Sequence, residues 1–242
     1  MENREGKEYV RFRVPQETQC NVLTQGILSD DEWKTDSSIS RIFQDSWKQR
    51  YEYESDILME IISDYGVKRI LELGPGPGVL CNMILNKTNI DEYHLVDIEA
   101  AAIANTSQNL GGIFHVRDLN DSLNLKLESK IDLVVANDFL EHIQNPAKII
   151  LESKELLKQD GLFFVSVPNW RMGHAWIYRG LFDWDNFIHF MWQHGFKMEG
   201  YIESILKCEP KAKLDSESSM PDEMIDSWNF YILFKRNDNV DA

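Results

Sequence analysis

Short apolar runs bounded by polar turns recur through the middle of the chain. Such runs predict buried β-strands, and they fall at residues 69–73, 93–98, 113–119, 131–138 and 162–168. Apolar residues recur at helical spacing between several of these runs, as at 79–86 and 99–110. Strands that alternate with helices indicate a parallel sheet with helices on both faces.

The two ends of the chain depart from this alternation. Apolar and aromatic residues at helical spacing between Ser38 and Tyr65 predict one or two helices before the first strand. Near the other end, 196–207 and 228–235 both have strand character, and no clear helix separates them. This arrangement predicts an antiparallel pair of strands.

One predicted helix carries start and stop signals at both ends. Asn145 is placed to cap its first turn, and Pro146 follows at the first helical position. Gly161 is predicted to lie just beyond its last residue.

The first predicted strand leads into a glycine turn and then into a helix. Gly74, Gly76 and Gly78 let the backbone turn sharply and approach a ligand where a Cβ atom would collide. Such a turn indicates a nucleotide-cofactor loop. A dinucleotide fingerprint, G-x-G-x-x-G, would need a third glycine where Val79 stands.

This G-x-G-x-G turn, with Glu72 two positions before its first glycine, resembles motif I of the class I S-adenosylmethionine-dependent methyltransferases. The resemblance implies an α/β, Rossmann-like, seven-stranded sheet with an antiparallel last strand, helices on both faces and an N-terminal helical extension. We accordingly predict an extension at 1–56 and a cofactor-binding domain at 57–242. The predicted antiparallel pair agrees with this family, whereas a dinucleotide-binding fold continues in parallel.

The resemblance also implies where S-adenosylmethionine would bind. Ligands of open parallel sheets bind beyond the carboxyl ends of the strands. Asp97 would accept both ribose hydroxyls, or it is an ordinary solvated acid at a strand end. Asp118 would accept a hydrogen bond from the adenine amino group, unless it is a turn aspartate or Asp121 takes that place. Ile98 and Leu119 would flank the adenine, although a sheet would also bury apolar residues there.

The amino-acid part of the cofactor is assigned to the glycine turn. Glu72 would orient the turn or meet the cofactor ammonium, because a buried carboxylate needs such partners. In the family, residues at the positions of Asn137 and Asp138 lie beside the sulfonium.

Catalysis requires no covalent enzyme group here, because methyl transfer is an in-line displacement for which alignment can supply much of the rate. The pair Glu141-His142 is similar to one that is frequent in small-molecule methyltransferases. His142 would act as a base on an acceptor hydroxyl, or it simply packs a turn. The N-P-P-Y motif of base and amide methylation is absent.

An aromatic segment at 170–192 follows the fifth strand and holds four of the seven tryptophans. It would line an acceptor pocket, with Arg171, His174 or His189 as polar contacts, or it buries a helix against the sheet or forms a subunit interface. His174 is a second candidate catalytic residue. The N-terminal extension would form a lid over the cleft or the arm of a homodimer.

The amino-acid composition narrows the classes of partner that we expect the protein to bind. The formal net charge of −15 opposes attraction to phosphate backbones, so a nucleic-acid substrate is disfavoured. The three cysteines lie far apart, without a C-x-x-C pair, which predicts no metal site and a reducing, cytoplasmic location. We expect no membrane partner, since no signal peptide or membrane-spanning apolar run is evident.

The sequence therefore predicts methyl transfer from S-adenosylmethionine to an oxygen or nitrogen of a small-molecule substrate. Two alternatives stay open. One is a nicotinamide-dependent oxidoreductase, and the other is a non-catalytic member of the fold that binds cofactor or a partner protein.

Overall fold

One mixed sheet forms the centre of the protein. The computed structural model describes residues 10–11, 37–76, 78–98, 111–169, 179–203, 219–221, 224, 227 and 229–238. The strands, in chain order, are β1 (Val10–Arg11), β2 (Arg69–Leu73), β3 (Glu92–Asp97), β4 (Ile113–Val116), β5 (Ile131–Asn137), β6 (Leu157–Pro168), β7 (Phe196–Glu203) and β8 (Asn229–Arg236). Their order across the sheet is β1-β7-β8-β6-β5-β2-β3-β4.

The last strand runs against the others. β8 lies between β6 and β7 and pairs antiparallel with both, whereas the remaining pairs are parallel. The predicted seven-stranded sheet with an antiparallel last strand is thus confirmed. The two-residue strand β1 extends it at one edge.

Helices cover both faces of this sheet. They are α1 (Ser37–Tyr65), α2 (Val79–Lys87), α3 (Pro146–Leu156) and α4 (Trp184–Gln193), with short 3-10 turns at Leu140–His142 and Arg179–Phe182. Ile57 of α1 and Leu80 of α2 belong to one buried cluster, with alternate residues of the strands. Ile149 of α3 and Phe187 of α4 belong to the other. The core therefore has two layers, one on each side of the sheet.

Helix α1 is a single helix of 29 residues. It continues through the predicted boundary between residues 56 and 57, and its buried residues on both sides of that point, Tyr53 and Ile57, pack in the same cluster. The division into an extension and a domain stays a prediction.

The start of α3 agrees with its sequence signals, but its end does not. The Asn145 side chain accepts a hydrogen bond from the Lys148 backbone N–H at 3.1 Å, as a cap should. The helix ends at Leu156, however, and Gly161 lies inside β6. The reason is that Leu157 already pairs with Ile131 of β5, so the sheet takes the chain before the glycine can end the helix.

The aromatic segment contributes chiefly to the core where it is described. Phe182, Trp184 and Phe187 are at most 2% exposed, and Trp184 stacks edge-on against Phe230 of β8. For these three residues the structure favours the alternative of a helix buried against the sheet, because their rings pack between α4 and β8. His189 faces solvent.

Several predicted features lie outside the described residues. They are the helix at 99–110, the candidate catalytic His174, and Arg171. Among the described residues, none of the helices is long and apolar enough to span a membrane.

Candidate active site

The glycine turn lies at the carboxyl end of β2, near the middle of the sheet. Gly74, Gly76 and Gly78 have φ values of 66°, 52° and 70°, a conformation that L side chains rarely adopt. A Cβ atom on Gly74 would approach the Phe139 ring to 2.3 Å, whereas one on Gly76 would meet no atom of the described residues within 4 Å. The backbone is thus tightly packed at Gly74 and open at Gly76.

Asp97 joins this turn to the neighbouring strand. It ends β3, and its Oδ2 accepts a hydrogen bond from the Gly76 backbone N–H at 3.1 Å. A second bond, from Gly74 N–H to the Val96 carbonyl at 2.9 Å, holds the same two chain segments together. The two parts of the site that the sequence assigned to one cofactor therefore meet in space.

The residues assigned to the adenine differ in exposure. Ile98 is 58% exposed, so it offers an apolar surface beside Asp97. Leu119 is 4% exposed and belongs to the core, and the Asp118 Oδ1 accepts a hydrogen bond from the Asn120 N–H at 2.9 Å. Asp118 thus also stabilises its own turn.

Glu72 lies beneath the glycine turn. Its carboxyl group is buried, and its Oε2 accepts a hydrogen bond from the Tyr93 hydroxyl at 2.8 Å. Burial raises the pKa of Glu72 to about 7, and the charges of Glu54 and Asp97 add to the rise. A cation that reached this carboxylate would return it to the ionised form.

Asp138 lies at the carboxyl end of β5 and is held from several elements. Its φ is +45°, a left-handed conformation that is uncommon outside glycine. Its Oδ1 accepts hydrogen bonds from Ser166 Oγ of β6 and from Asn229 Nδ2 of β8, the latter at 2.7 Å. Its Oδ2 forms an ion pair with Arg50 of α1.

Glu54 connects α1 to the same place. Its Oε1 accepts bonds from Arg50 Nε at 2.6 Å and from the Tyr231 hydroxyl at 3.1 Å, and its Oε2 accepts one from Asn137 Nδ2 at 2.7 Å. Burial raises the pKa of Glu54 although Arg50 opposes the change. Arg50 and Glu54 thus fix the position of the Asn137-Asp138 turn.

The pair Glu141-His142 follows in a 3-10 turn. Glu141 is fully buried, and burial together with the Asp138 charge raises its pKa well above the ordinary value. The His142 side chain is 52% exposed, and its Nε2 lies 3.8 Å from Glu141 Oε1. The histidine can therefore exchange protons with solvent beside a buried carboxyl group.

Sequence reasoning missed Glu54, Ser166, Asn229 and Tyr231 as parts of this site. A signal for Glu54 existed, because it lies on the same helical stripe as Arg50, Ile57, Leu58 and Ile61. Charged residues on a buried stripe need partners. No comparable signal marks Asn229, whose place depends on strand order.

The described residues contain no group of three or more His, Cys, Asp or Glu side chains arranged to hold a metal ion. The polar groups that the structure brings together are instead those of two adjoining patches. We call Glu72, the three glycines and Asp97 the cofactor edge, and Arg50, Glu54, Asn137, Asp138, Glu141 and Asn229 the Asp138 cluster.

Comparison with known proteins identifies similar chains. A family model described as a methyltransferase domain matches residues 46–201. A ubiquinone biosynthesis O-methyltransferase of Glaesserella parasuis serovar 5 (strain SH0165) is 30% identical over 108 residues, which are 42% of this chain and 46% of that protein. The match thus spans less than half of that relative's length.

Solved structures share the fold at low sequence identity. An S-adenosylmethionine-dependent methyltransferase from Clostridium acetobutylicum ATCC 824 has a TM-score of 0.60 at 13% identity, over 83% of this chain and 98% of that one. The cyclase SpnF has a TM-score of 0.55 at 13% identity, over 77% and 82%. Because a named cyclase has this fold too, the fold alone does not specify the reaction.

Proposed function

The chain belongs to the methyltransferase domain family, and from this premise we propose that it transfers the methyl group of S-adenosylmethionine to an oxygen or nitrogen of a small molecule. The observation that carries the proposal is the bond from Gly76 N–H to Asp97 Oδ2. It joins a left-handed glycine turn to an acid at the carboxyl edge of adjacent parallel strands, which is where such sheets bind nucleotides.

The residues of the cofactor edge fit S-adenosylmethionine. Open space at Gly76 leaves room for a ligand against the backbone. Asp97 would hold the ribose, exposed Ile98 would contact the adenine, and buried Glu72 would meet the ammonium of the amino-acid part. Asp118 and Leu119 complete the proposed adenine site, and Asn137 with Asp138 would lie beside the sulfonium.

The bound cofactor supplies an activated methyl group, and the protein supplies its alignment with the acceptor. An oxygen acceptor requires a base, for which we propose His142, because its exposed imidazole can pass the proton to solvent. His174 is proposed as a second candidate on sequence grounds.

The acceptor is proposed to be a small molecule. The net charge of −15 disfavours nucleic acid, and the relative whose name includes O-methyltransferase supports the same class of substrate. A cytoplasmic location and a homodimer remain proposals from the sequence.

Calorimetric titration of the protein with S-adenosylmethionine, and separately with NADH, tests the proposal. We expect binding of S-adenosylmethionine alone, weakened at least tenfold (about 1.4 kcal/mol) in Asp97→Ala. Asp160→Ala is the matched control, because the Asp160 side chain is 87% exposed and pairs with Lys235, away from the glycine turn.

Each of the other outcomes would change the proposal. Binding of NADH would favour the oxidoreductase, although the antiparallel β8 opposes that fold. Binding of S-adenosylmethionine without methyl transfer to any component of a broad metabolite extract would favour a non-catalytic member of the family.

A further inference from the structure

Three side chains of the Asp138 cluster have buried oxygens that accept no hydrogen bond within the part of the chain that the structure describes. The atoms are Asn137 Oδ1, Asn229 Oδ1 and both carboxyl oxygens of Glu141. Buried polar atoms are usually paired, and an unpaired one costs about 1–3 kcal/mol. Several orphaned acceptors around one carboxylate indicate a ligand that brings hydrogen-bond donors.

The orientation of the two amides follows from their partners. Asn137 Nδ2 donates to Glu54 Oε2, and Asn229 Nδ2 donates to Asp138 Oδ1, each at 2.7 Å. Each amide thus turns its nitrogen toward a carboxyl oxygen, which accepts the hydrogen bond. The amide oxygens are therefore left as the atoms without donors.

The charge of the cluster favours a cation. Burial raises the pKa of both Glu54 and Glu141, the Asp138 charge adds to the rise, and the Arg50 guanidinium opposes it. Within the described part of the chain, the guanidinium of Arg50 is the cation that acts on these three carboxyl groups. Ionising these buried carboxyl groups is costly, and a bound cation would lower that cost.

The cluster is open to solvent on one side. The Asp138 side chain is 21% exposed and that of His142 is 52% exposed, whereas the Glu141 side chain is fully buried. A ligand can therefore approach the cluster at Asp138 and His142.

We propose that the acceptor presents an amine to the Asp138 cluster, so that the reaction is N-methylation. This inference rests on the proposed methyl transfer and decides between its two acceptor atoms. A protonated amine brings several N–H donors and a positive charge. A hydroxyl brings a single donor and no positive charge, and a carboxylate brings no donor.

The proposed reaction releases one proton for each methyl group that is transferred. The ammonium first loses one proton, which the exposed imidazole of His142 takes and passes to solvent. The amine nitrogen then forms a bond to the methyl carbon while the bond between that carbon and sulfur breaks, and the sulfur keeps the bonding pair. The products are an N-methylammonium and S-adenosylhomocysteine, with one proton released.

Transfer of a tritiated methyl group from S-adenosylmethionine tests the inference. One set of acceptors is a cell metabolite extract, which is separated by cation exchange into a cationic and a neutral-plus-anionic fraction. The other set is primary amines, each paired with the alcohol of the same carbon skeleton. We expect label in the cationic fraction and in amines. Glu141→Gln should lower the transfer at least tenfold (about 1.4 kcal/mol) and leave the affinity for S-adenosylmethionine within about twofold.

Glu152→Gln is the matched control, since Glu152 holds Ser122 and Leu123 outside the cluster. Label only in neutral or anionic products, or in no product although S-adenosylmethionine binds, would overturn the inference. So would unchanged transfer in Glu141→Gln, or stabilisation of the ligand-free protein by magnesium chloride and not by amines. The distribution of label between the two fractions is measured with the wild type. It therefore tests the inference even if Glu141→Gln does not fold. Failure of the wild type to bind S-adenosylmethionine would instead overturn the proposed function.

Discussion

The cofactor edge and the Asp138 cluster are neighbouring parts of one site, but the chain builds them in different ways. The cofactor edge comes from two consecutive strands and the turn between them, and its key contact joins residues 21 positions apart. The Asp138 cluster joins residues 83 and 91 positions apart, and Tyr231, 177 positions from Glu54, holds it from β8. The first is a local motif, whereas the second exists only when the sheet is assembled.

Strand direction explains how the cluster forms. The parallel strands β5 and β6 end at the edge where Asp138 lies, whereas the antiparallel β8 begins there, with Asn229 paired to Pro168. An antiparallel last strand therefore places its first residues among the carboxyl ends of its neighbours. The start of β8 is thus a source of site residues in this protein.

Removal of the Glu54 carboxyl group should lower the free energy of unfolding most and disrupt the Asp138 cluster. In Glu54→Ala the guanidinium of Arg50 loses a buried partner, so we expect the free energy of unfolding to fall by about 3–5 kcal/mol. Urea denaturation measures it. The exposed carboxyl of Asp64, on the same helix, gives the control Asp64→Ala, which should change stability by less than about 0.5 kcal/mol. A loss below about 1 kcal/mol for Glu54→Ala would show that the cluster does not hold α1.

The buried carboxyl group of the cofactor edge should make the stability of the protein depend on pH. The pKa of Glu72 is raised from 4.5 to about 7 in the folded protein, so the stability that its proton provides is complete below about pH 4.5 and is lost as the pH rises through 7. Relative to Glu72→Gln, the wild type should lose about 3 kcal/mol across that range. Parallel stability curves of the two proteins would contradict the raised pKa.

The glycine turn should respond to a single methyl group according to its packing. Gly74→Ala combines a φ of 66° with a 2.3 Å approach to Phe139, whereas Gly66→Ala has a φ of 63° and no atom within 4 Å. We expect losses of about 2–3 kcal/mol for Gly74→Ala and about 1 kcal/mol for Gly66→Ala. Thermal unfolding of both variants checks this, and equal losses would mean that the Phe139 ring moves aside.

Substitution of a residue outside both patches should have the smallest effect on stability and none on cofactor affinity. Arg236 Nη1 donates to the carbonyls of Lys154 and Leu157 at the end of α3, at 2.9 and 2.8 Å. Arg236→Ala should cost about 1–2 kcal/mol and leave the affinity for S-adenosylmethionine unchanged. A weaker affinity would show that α3 also positions the site.

The sequence predicted those parts of the protein whose information is local. Asn145 caps α3, and the Gly74 turn approaches Asp97, because each depends on residues close together along the chain. Gly161 misled the prediction, because pairing of Leu157 with β5 overrides a helix-stop signal. The aromatic residues Trp184 and Phe187 could equally line a pocket or a core, and only the position of α4 against the sheet distinguishes the two.

By itself the sequence determined the strand and helix alternation, the glycine turn and the family. These follow from periodicity and backbone geometry, which act over a few residues. The tertiary structure decided that Arg50, Glu54, Asn137, Asp138, Glu141 and Asn229 form one cluster, and thus what the site can recognise. The physical reason is that buried charges and amides are assigned partners by the order and direction of distant strands, which short-range patterns do not encode.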